Sequence, residues 1–165
     1  MTQVDLEWDK SKSLFAIFAI LSRKIPDFNS STGYKSIRTK VKFYVDTGTT
    51  MTSITDEVAK ELQIDIKALP RKQFFGIGGI IENPVANDIE IAVLDESSEP
   101  RTFKLDIIQI MSASVKKKIE KTRGNFKERG EVIGSMFCLF GLDSIEKLNG
   151  ELRINMKEKR GMILL

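Results

Sequence analysis

The chain contains no histidine and a single cysteine, Cys138, among its 165 residues. Without histidine there is no Ser-His-Asp triad or Cys-His dyad, no imidazole acid–base catalysis, and no His-ligated zinc or haem. One cysteine excludes an intrachain disulfide and a thiolate metal cluster, and gives no sign of an oxidising compartment. Long hydrophobic runs are missing too. The longest, Leu14 to Leu21, spans eight residues, against the roughly 20 of a membrane-crossing helix. The first twelve residues carry Asp5, Glu7 and Asp9, opposite in sign to the basic start of a secretory leader. Together these absences predict a cytoplasmic protein with no membrane partner and leave any chemistry to carboxylates, lysines or hydroxyls.

With 41% hydrophobic and 30% charged residues, the composition suits one globular domain with a continuous core over residues 1–165. The formal net charge of +3 is too small to argue for a nucleic-acid partner. Its distribution is uneven. Met111 to Glu131 holds seven basic residues (Lys116, Lys117, Lys118, Lys121, Arg123, Lys127, Arg129) against Glu120, Glu128 and Glu131. Such a run reads as a solvated face more readily than as a binding patch. Its one aromatic, Phe126, does not make the stacking platform of a single-strand binder.

Leu14 to Leu21 fits a buried strand or a short helix by pattern, and its Phe and Ile content favours strand. Ile37, Thr39, Val41, Phe43 and Val45 share one face of a strand. Ser53 or Thr55 can cap a short helix whose first turn holds Asp56 and Glu57. Gln73 to Glu82 reads as two apolar arms around a glycine-rich hairpin tip. Asp88 to Leu94 and Thr102 to Ile110 are expected to pair across the turn at 96–100. The basic stretch is expected to be helical over Val115 to Lys121, then loop through Gly124 and Gly130. Asp143, with Glu146 three residues later, has the signature of a helix cap, and Asn149-Gly150 should stop that helix. Glu151 to Met156 and Gly161 to Leu165 read as two closing strands. The fold class is mainly β with one or two short helices.

The sharpest chemical feature is Phe43-Tyr44-Val45-Asp46-Thr47-Gly48-Thr49-Thr50, where an aspartate follows an apolar strand directly and a glycine comes two residues on. Taken alone it is equally a strand-end turn, since Asp and Gly are both favoured there. Three features accompany it in order along the chain: the tip Gly76-Ile77-Gly78-Gly79, the segment Leu139-Phe140-Gly141 before a helix, and a final helix running into a strand. The ordered set resembles the retropepsin-like aspartic proteases, over Ile37 to Leu165. The first 36 residues match nothing beyond an opening strand. The core is expected over 13–110 and 132–165, with 111–131 as an insertion and 1–12 as a disordered terminus.

The resemblance implies a closed acid-protease barrel in which each subunit supplies one catalytic aspartate, here Asp46. No second Asp-Thr-Gly exists in the chain, so an active site would need a two-fold homodimer. It further implies that Thr47 cross-links the two loops beneath the aspartates and that Gly48 permits close backbone approach. Thr49 matches a small-residue position near the carboxylate. Leu139, Phe140 and Gly141 would pack behind the loop, and the tip at Gly76, Ile77, Gly78 and Gly79 would be a flap over a peptide or protein substrate. The implied chemistry needs no metal or other cofactor. At that tip the G-x-G-x-x-G spacing of a phosphate cradle fails at Ile81, which favours flap over phosphate loop; a plain structural turn remains the other alternative. A non-catalytic peptide-binding dimer of the same fold, or a phosphate-binding loop at Asp46 to Thr50, are the rival functions. Cys138, in an apolar stretch, is expected as a buried thiol. The apolar tail Gly161 to Leu165 is a candidate for the dimer interface or, preferably, for pairing with 152–155 in one subunit.

Overall fold

The computed structural model describes residues 2–76, 79–123 and 126–165, and the side chains of these except residues 76, 79, 114–123 and 126–135. The spine is an antiparallel pair, β2 (Leu14–Pro26) and β3 (Tyr34–Val45), in register from Ala16↔Tyr44 to Pro26↔Tyr34. In β2 the period of two resolves strand from helix. Phe15, Ile17, Ala19 and Leu21 are buried while Phe18 and Ile20 face outward, as alternation across a pleat requires. Val41, Phe43 and Val45 of β3 join the same core.

The other edge of β2 is shared between two partners. Its start pairs with β1 (Gln3–Asp9), from Glu7↔Ala16 to Asp9↔Leu14. Its second half pairs with β7 (Ile89–Leu94), from Ala19↔Val93 to Arg23↔Ile89. The expectation of a disordered 1–12 is therefore corrected. Val4 and Leu6 alternate into the core, and Trp8 meets Phe15 edge-on at 4.9 Å, so the segment gains enough apolar burial to order itself. On its far side β1 pairs with β14 (Arg160–Leu164), which pairs in turn with β13 (Glu151–Asn155). The tail thus pairs with 152–155 within the chain, as Leu152↔Ile163 and Ile154↔Gly161.

Beyond β3 the order continues through β12 (Leu139–Phe140), β4 (Ser53–Thr55), β9 (Ile108–Met111), β6 (Gly79–Ala86) and β5 (Arg71–Gly76). The path has free ends at β13 and β5, with β7 and β8 (Pro100–Lys104) branching from β2. The expected closed barrel is not formed as a continuous ladder, because splitting one edge of β2 between β1 and β7 diverts the sheet into a branch. Two further expectations are corrected. The single strand Thr102 to Ile110 is broken into β8 and β9, because Leu105 and Ile108 are both buried and a spacing of three cannot put both on one face of a strand. The helix expected over 115–121 is a strand, β10 (Ser114–Arg123), paired with β11 (Phe126–Ser135) from Ser114↔Ser135 to Arg123↔Phe126. Cross-strand pairing in this hairpin outweighs the helix propensity of its lysines, and Gly130, expected in a loop, pairs with Ile119 within β11; Gly124 lies outside the described residues.

Two short helices complete the fold. α1 (Asp56–Glu61) is capped by Thr55, whose hydroxyl accepts from Val58 N, with Asp56 and Glu57 in the first turn. α2 (Leu142–Lys147) stops where Asn149 turns left-handed at φ 52, and Gly150 N then bonds Ile145 O at 2.9 Å.

β1 is also tied to β3 by charge. Asp9 accepts from Lys42 Nζ at 2.9 Å and Tyr44 Oη at 2.7 Å, and from Ser11 N and Oγ at 2.9 and 2.7 Å. The Lys42 ammonium, with the hydroxyls of Ser11 and Tyr44, holds the Asp9 carboxyl far below the usual carboxylate range. The same contact pushes Lys42 up, and burial, with Asp9 alongside, pushes the Tyr44 phenol up. Asp9 ionises more easily folded than unfolded, where its pKa is about 3.9. Its stabilisation is therefore complete above that value and lost as pH falls toward the folded value. Asp9→Asn is expected to lower the urea midpoint at neutral pH, and the gap to wild type should shrink steadily below about pH 4. A gap independent of pH would show that the tie is not electrostatic.

Candidate active site

β3 carries its apolar face to Val45 and delivers Asp46 at the strand end, half-buried. Asp46 N donates to Phe140 O at 3.3 Å, and the chain turns back at once, with Thr49 N on Asp46 O at 3.3 Å. Gly48 N donates to Asp46 Oδ1 at 2.9 Å, so the loop orients its own carboxylate. A Cβ on Gly48 would lie 3.1 Å from that same oxygen, crowding the one group the loop presents. Among the described residues Oδ2 accepts no hydrogen bond, and Thr47, exposed, makes none. Thr49 Oγ1 receives Met51 N at 3.3 Å and lies 3.2 Å from Met51 O, closing the turn from inside.

The segment 138–144 lies against this loop. β12 runs parallel to the end of β3, with Leu139↔Tyr44 and Phe140↔Val45, and antiparallel to β4 through Leu139↔Ser53. Phe140, fully buried, meets Phe43 and Phe103 edge-on at 5.9 and 6.3 Å. Gly141 follows at the point of closest approach: a Cβ there would overlap Met51 C and sit 2.7 Å from both Met51 O and Thr52 N. Its φ of −81° is open to any residue, so the requirement for glycine is space alone. Leu142 N and Asp143 N then donate to Thr49 O and Thr50 O at 3.2 and 3.1 Å.

Gly141, not Asp143, is the N-cap of α2, and it provides no side-chain cap. This corrects the expectation for Asp143. Its carboxylate sits one residue into the helix and turns back onto Thr52, accepting Thr52 N at 2.9 and 3.1 Å and Thr52 Oγ1 at 2.7 Å. It also accepts Ser144 N at 2.8 Å. Thr52 Oγ1 in turn accepts Gly141 N at 3.0 Å and lies 2.6 Å from Ser144 Oγ. Sequence pattern marks neither Thr52 nor Ser144, and it marks Asp143 only as a helix cap. The acidic signal at Asp143 was visible, but it pointed to its own helix and not to a loop 91 residues away.

The glycine-rich tip belongs to the hairpin β5–β6, bound by an Arg71–Glu82 ion pair at 3.2 Å. Its register closes at Gly76↔Gly79; Ile77 and Gly78 lie outside the described residues. Phe75 is 89% exposed and Ile80, its partner across the hairpin, 61%. The root of β6 pairs with β9 through Val85↔Gln109, and β9 pairs with β4, which follows the Asp46 loop. Cys138 is buried, and burial pushes its thiol up, so it is an inert core group. Among the described residues no cluster of three acidic or thiol groups is arranged to hold a metal ion, and no helix is long and apolar enough to cross a membrane.

The arrangement can present one carboxylate oxygen to a water or a polar ligand, from a loop braced on its inner side. No family model and no curated protein matches this chain. Among solved structures it is similar to a retropepsin-like aspartic protease from Rickettsia conorii, at 15% identity over 99% of this chain and 93% of that one, with a TM-score of 0.58. The two chains share a fold, that of a retropepsin-like aspartic protease.

Proposed function

We propose that this chain is an aspartic endopeptidase that works as a homodimer, with Asp46 of each subunit forming the catalytic pair. The observation that carries the reading is the Asp46 loop itself. A carboxylate at a strand end, oriented by Gly48 N and braced from behind by the 138–144 segment, occurs in a chain with an acid-protease fold.

One chain supplies a single such aspartate, so the partner must come from a second copy. Two carboxylates brought within about 3 Å share one proton, since both cannot ionise easily. The ionised member takes a proton from water as its oxygen attacks the scissile carbonyl. The protonated member donates to the carbonyl oxygen, and the leaving amine is protonated as the C–N bond breaks. The pair titrates as a unit. Thr47, exposed beside Asp46 in one chain, is free to meet its counterpart across the axis. The β5–β6 hairpin acts as the flap: its exposed Phe75 and Ile80 offer apolar cover, and its backbone can bond an extended peptide. The phosphate-loop alternative gains no support from the geometry, because the chain after Asp46–Thr50 enters strand β4 and not a helix N-terminus.

The test is peptide cleavage as a function of protein concentration. A mixture of unstructured peptides should be cut, with activity per chain falling in step with dissociation to monomer on dilution. A dimer that binds peptides without cutting them across acidic and neutral pH would make this a binding module. A monomer that cuts would exclude the shared site.

A further inference from the structure

We infer that Asp143, acting through Thr52, is a positioning residue for Asp46. The argument begins with proton counting. Ionised Asp143 only accepts, and Thr52 Oγ1 has one hydrogen, which goes to Asp143 Oδ1 at 2.7 Å. Thr52 Oγ1 must then accept from its other neighbours, Gly141 N at 3.0 Å and Ser144 Oγ at 2.6 Å. The hydroxyl of Ser144 is therefore the donor in that contact. Every hydrogen in the cluster has one direction, set by the negative charge of Asp143.

This cluster is buried where it matters: Thr52 and Ser144 are 0% exposed. It joins the first turn of α2 to the last residue of the Asp46 loop. At its other end the loop is held by Asp46 N on Phe140 O, and in the middle by Leu142 N and Asp143 N on Thr49 O and Thr50 O. The inner wall of the loop is thus one continuous piece, residues 140–144. Of the side chains in that wall, only Asp143 brings a full charge to the contact, and hydrogen bonds to charged groups are the strong ones. Removing it strands the buried N–H of Thr52 and leaves the Thr52 hydroxyl hydrogen to turn toward Ser144 Oγ. The loop would then lose the contact that fixes its end, and with it the pose in which Gly48 N meets the Asp46 carboxylate. The inference rests on the proposed function only in taking Asp46 as the reacting group.

Amide hydrogen exchange in the full-length protein tests it, read at Gly48, whose N–H is held by Asp46 Oδ1, and at Tyr44, whose N–H bonds Cys138 O in the adjoining ladder. Asp143→Ala should speed exchange at Gly48 by about tenfold or more while leaving Tyr44 protected. Asp143→Asn keeps an acceptor for Thr52 N and can donate to Thr52 Oγ1, and should fall between. In peptide cleavage at dimer-saturating concentration, kcat should follow the same order with KM little changed. If Asp143→Ala does not fold, Thr52→Val, which removes only the hydroxyl, should give a smaller change in the same direction. Equal acceleration at Gly48 and Tyr44, or none at Gly48 in any folded variant, overturns the inference. So does a kcat unaffected by loop loosening. If wild type cuts no peptide yet Gly48 responds as expected, the proposed function falls and the bracing of the loop by Asp143 stands.

Discussion

Asp46→Asn is expected to lower peptide cleavage by about a thousandfold or more, the scale of losing a general acid–base pair, while leaving fold and dimer intact. Asparagine has the shape of aspartate and can still accept Gly48 N, the one hydrogen bond that Asp46 Oδ1 makes among the described residues. The loop is braced by residues 140–144 and not by the charge of Asp46, so stability should hardly change. Mixing sharpens the result. If one aspartate comes from each subunit, wild type re-equilibrated with an equal amount of Asp46→Asn leaves about a quarter of dimers fully wild type. Activity should then follow the square of the wild-type fraction. A linear decline would mean that each subunit works alone, and an asparagine variant as active as wild type would remove Asp46 from the chemistry. Circular dichroism and sedimentation of the variant establish that fold and dimer survive.

Gly141→Ala is expected to be the most destabilising conservative change near the site, on the order of 3 kcal/mol or more. The new methyl would overlap the carbonyl carbon of Met51 and lie 2.7 Å from Thr52 N. These are backbone atoms, so no rotamer change relieves the clash. Either the Asp46 loop moves away from α2 or α2 moves away from the sheet, and both routes break Thr52 from Asp143 and from Gly141 N. Thermal unfolding should show a melting temperature many degrees lower, with whatever folded protein remains impaired in cleavage. A variant with wild-type stability would mean that the chain at 141 and the loop at 51–52 are not in contact.

The parts of the fold that alternation dictates were legible in the sequence. Ile37 to Val45 lies within β3, Gln73 to Glu82 lies in the β5–β6 hairpin, Thr55 caps α1, and the two closing strands pair as expected. Where the expectation failed, pairing and packing with other segments decided. Gln3 to Asp9 looks like a polar terminus until β14 and β2 flank it. Val115 to Lys121 has helix-forming lysines, yet it pairs over its length with a strand further along the chain. Thr102 to Ile110 alternates well enough to be one strand, and only the burial of both Leu105 and Ile108 shows the break.

At the site the division is sharper. The absence of histidine and the scarcity of cysteine confine the chemistry to carboxylates, lysines or hydroxyls. The apolar strand running into Asp46-Thr47-Gly48 marks a strand end and a turn, because strand periodicity and glycine tolerance are local properties, and only the family resemblance singles out its carboxylate. What braces that carboxylate is not local. Thr52 and Asp143 are separated by 91 residues, and nothing in their neighbourhoods marks either as the partner of the other. Sequence alone singled out the carboxylate of Asp46 and showed that Asp-Thr-Gly occurs once in the chain. Only the tertiary structure decided what holds it, because hydrogen bonds between distant segments depend on how the chain returns upon itself.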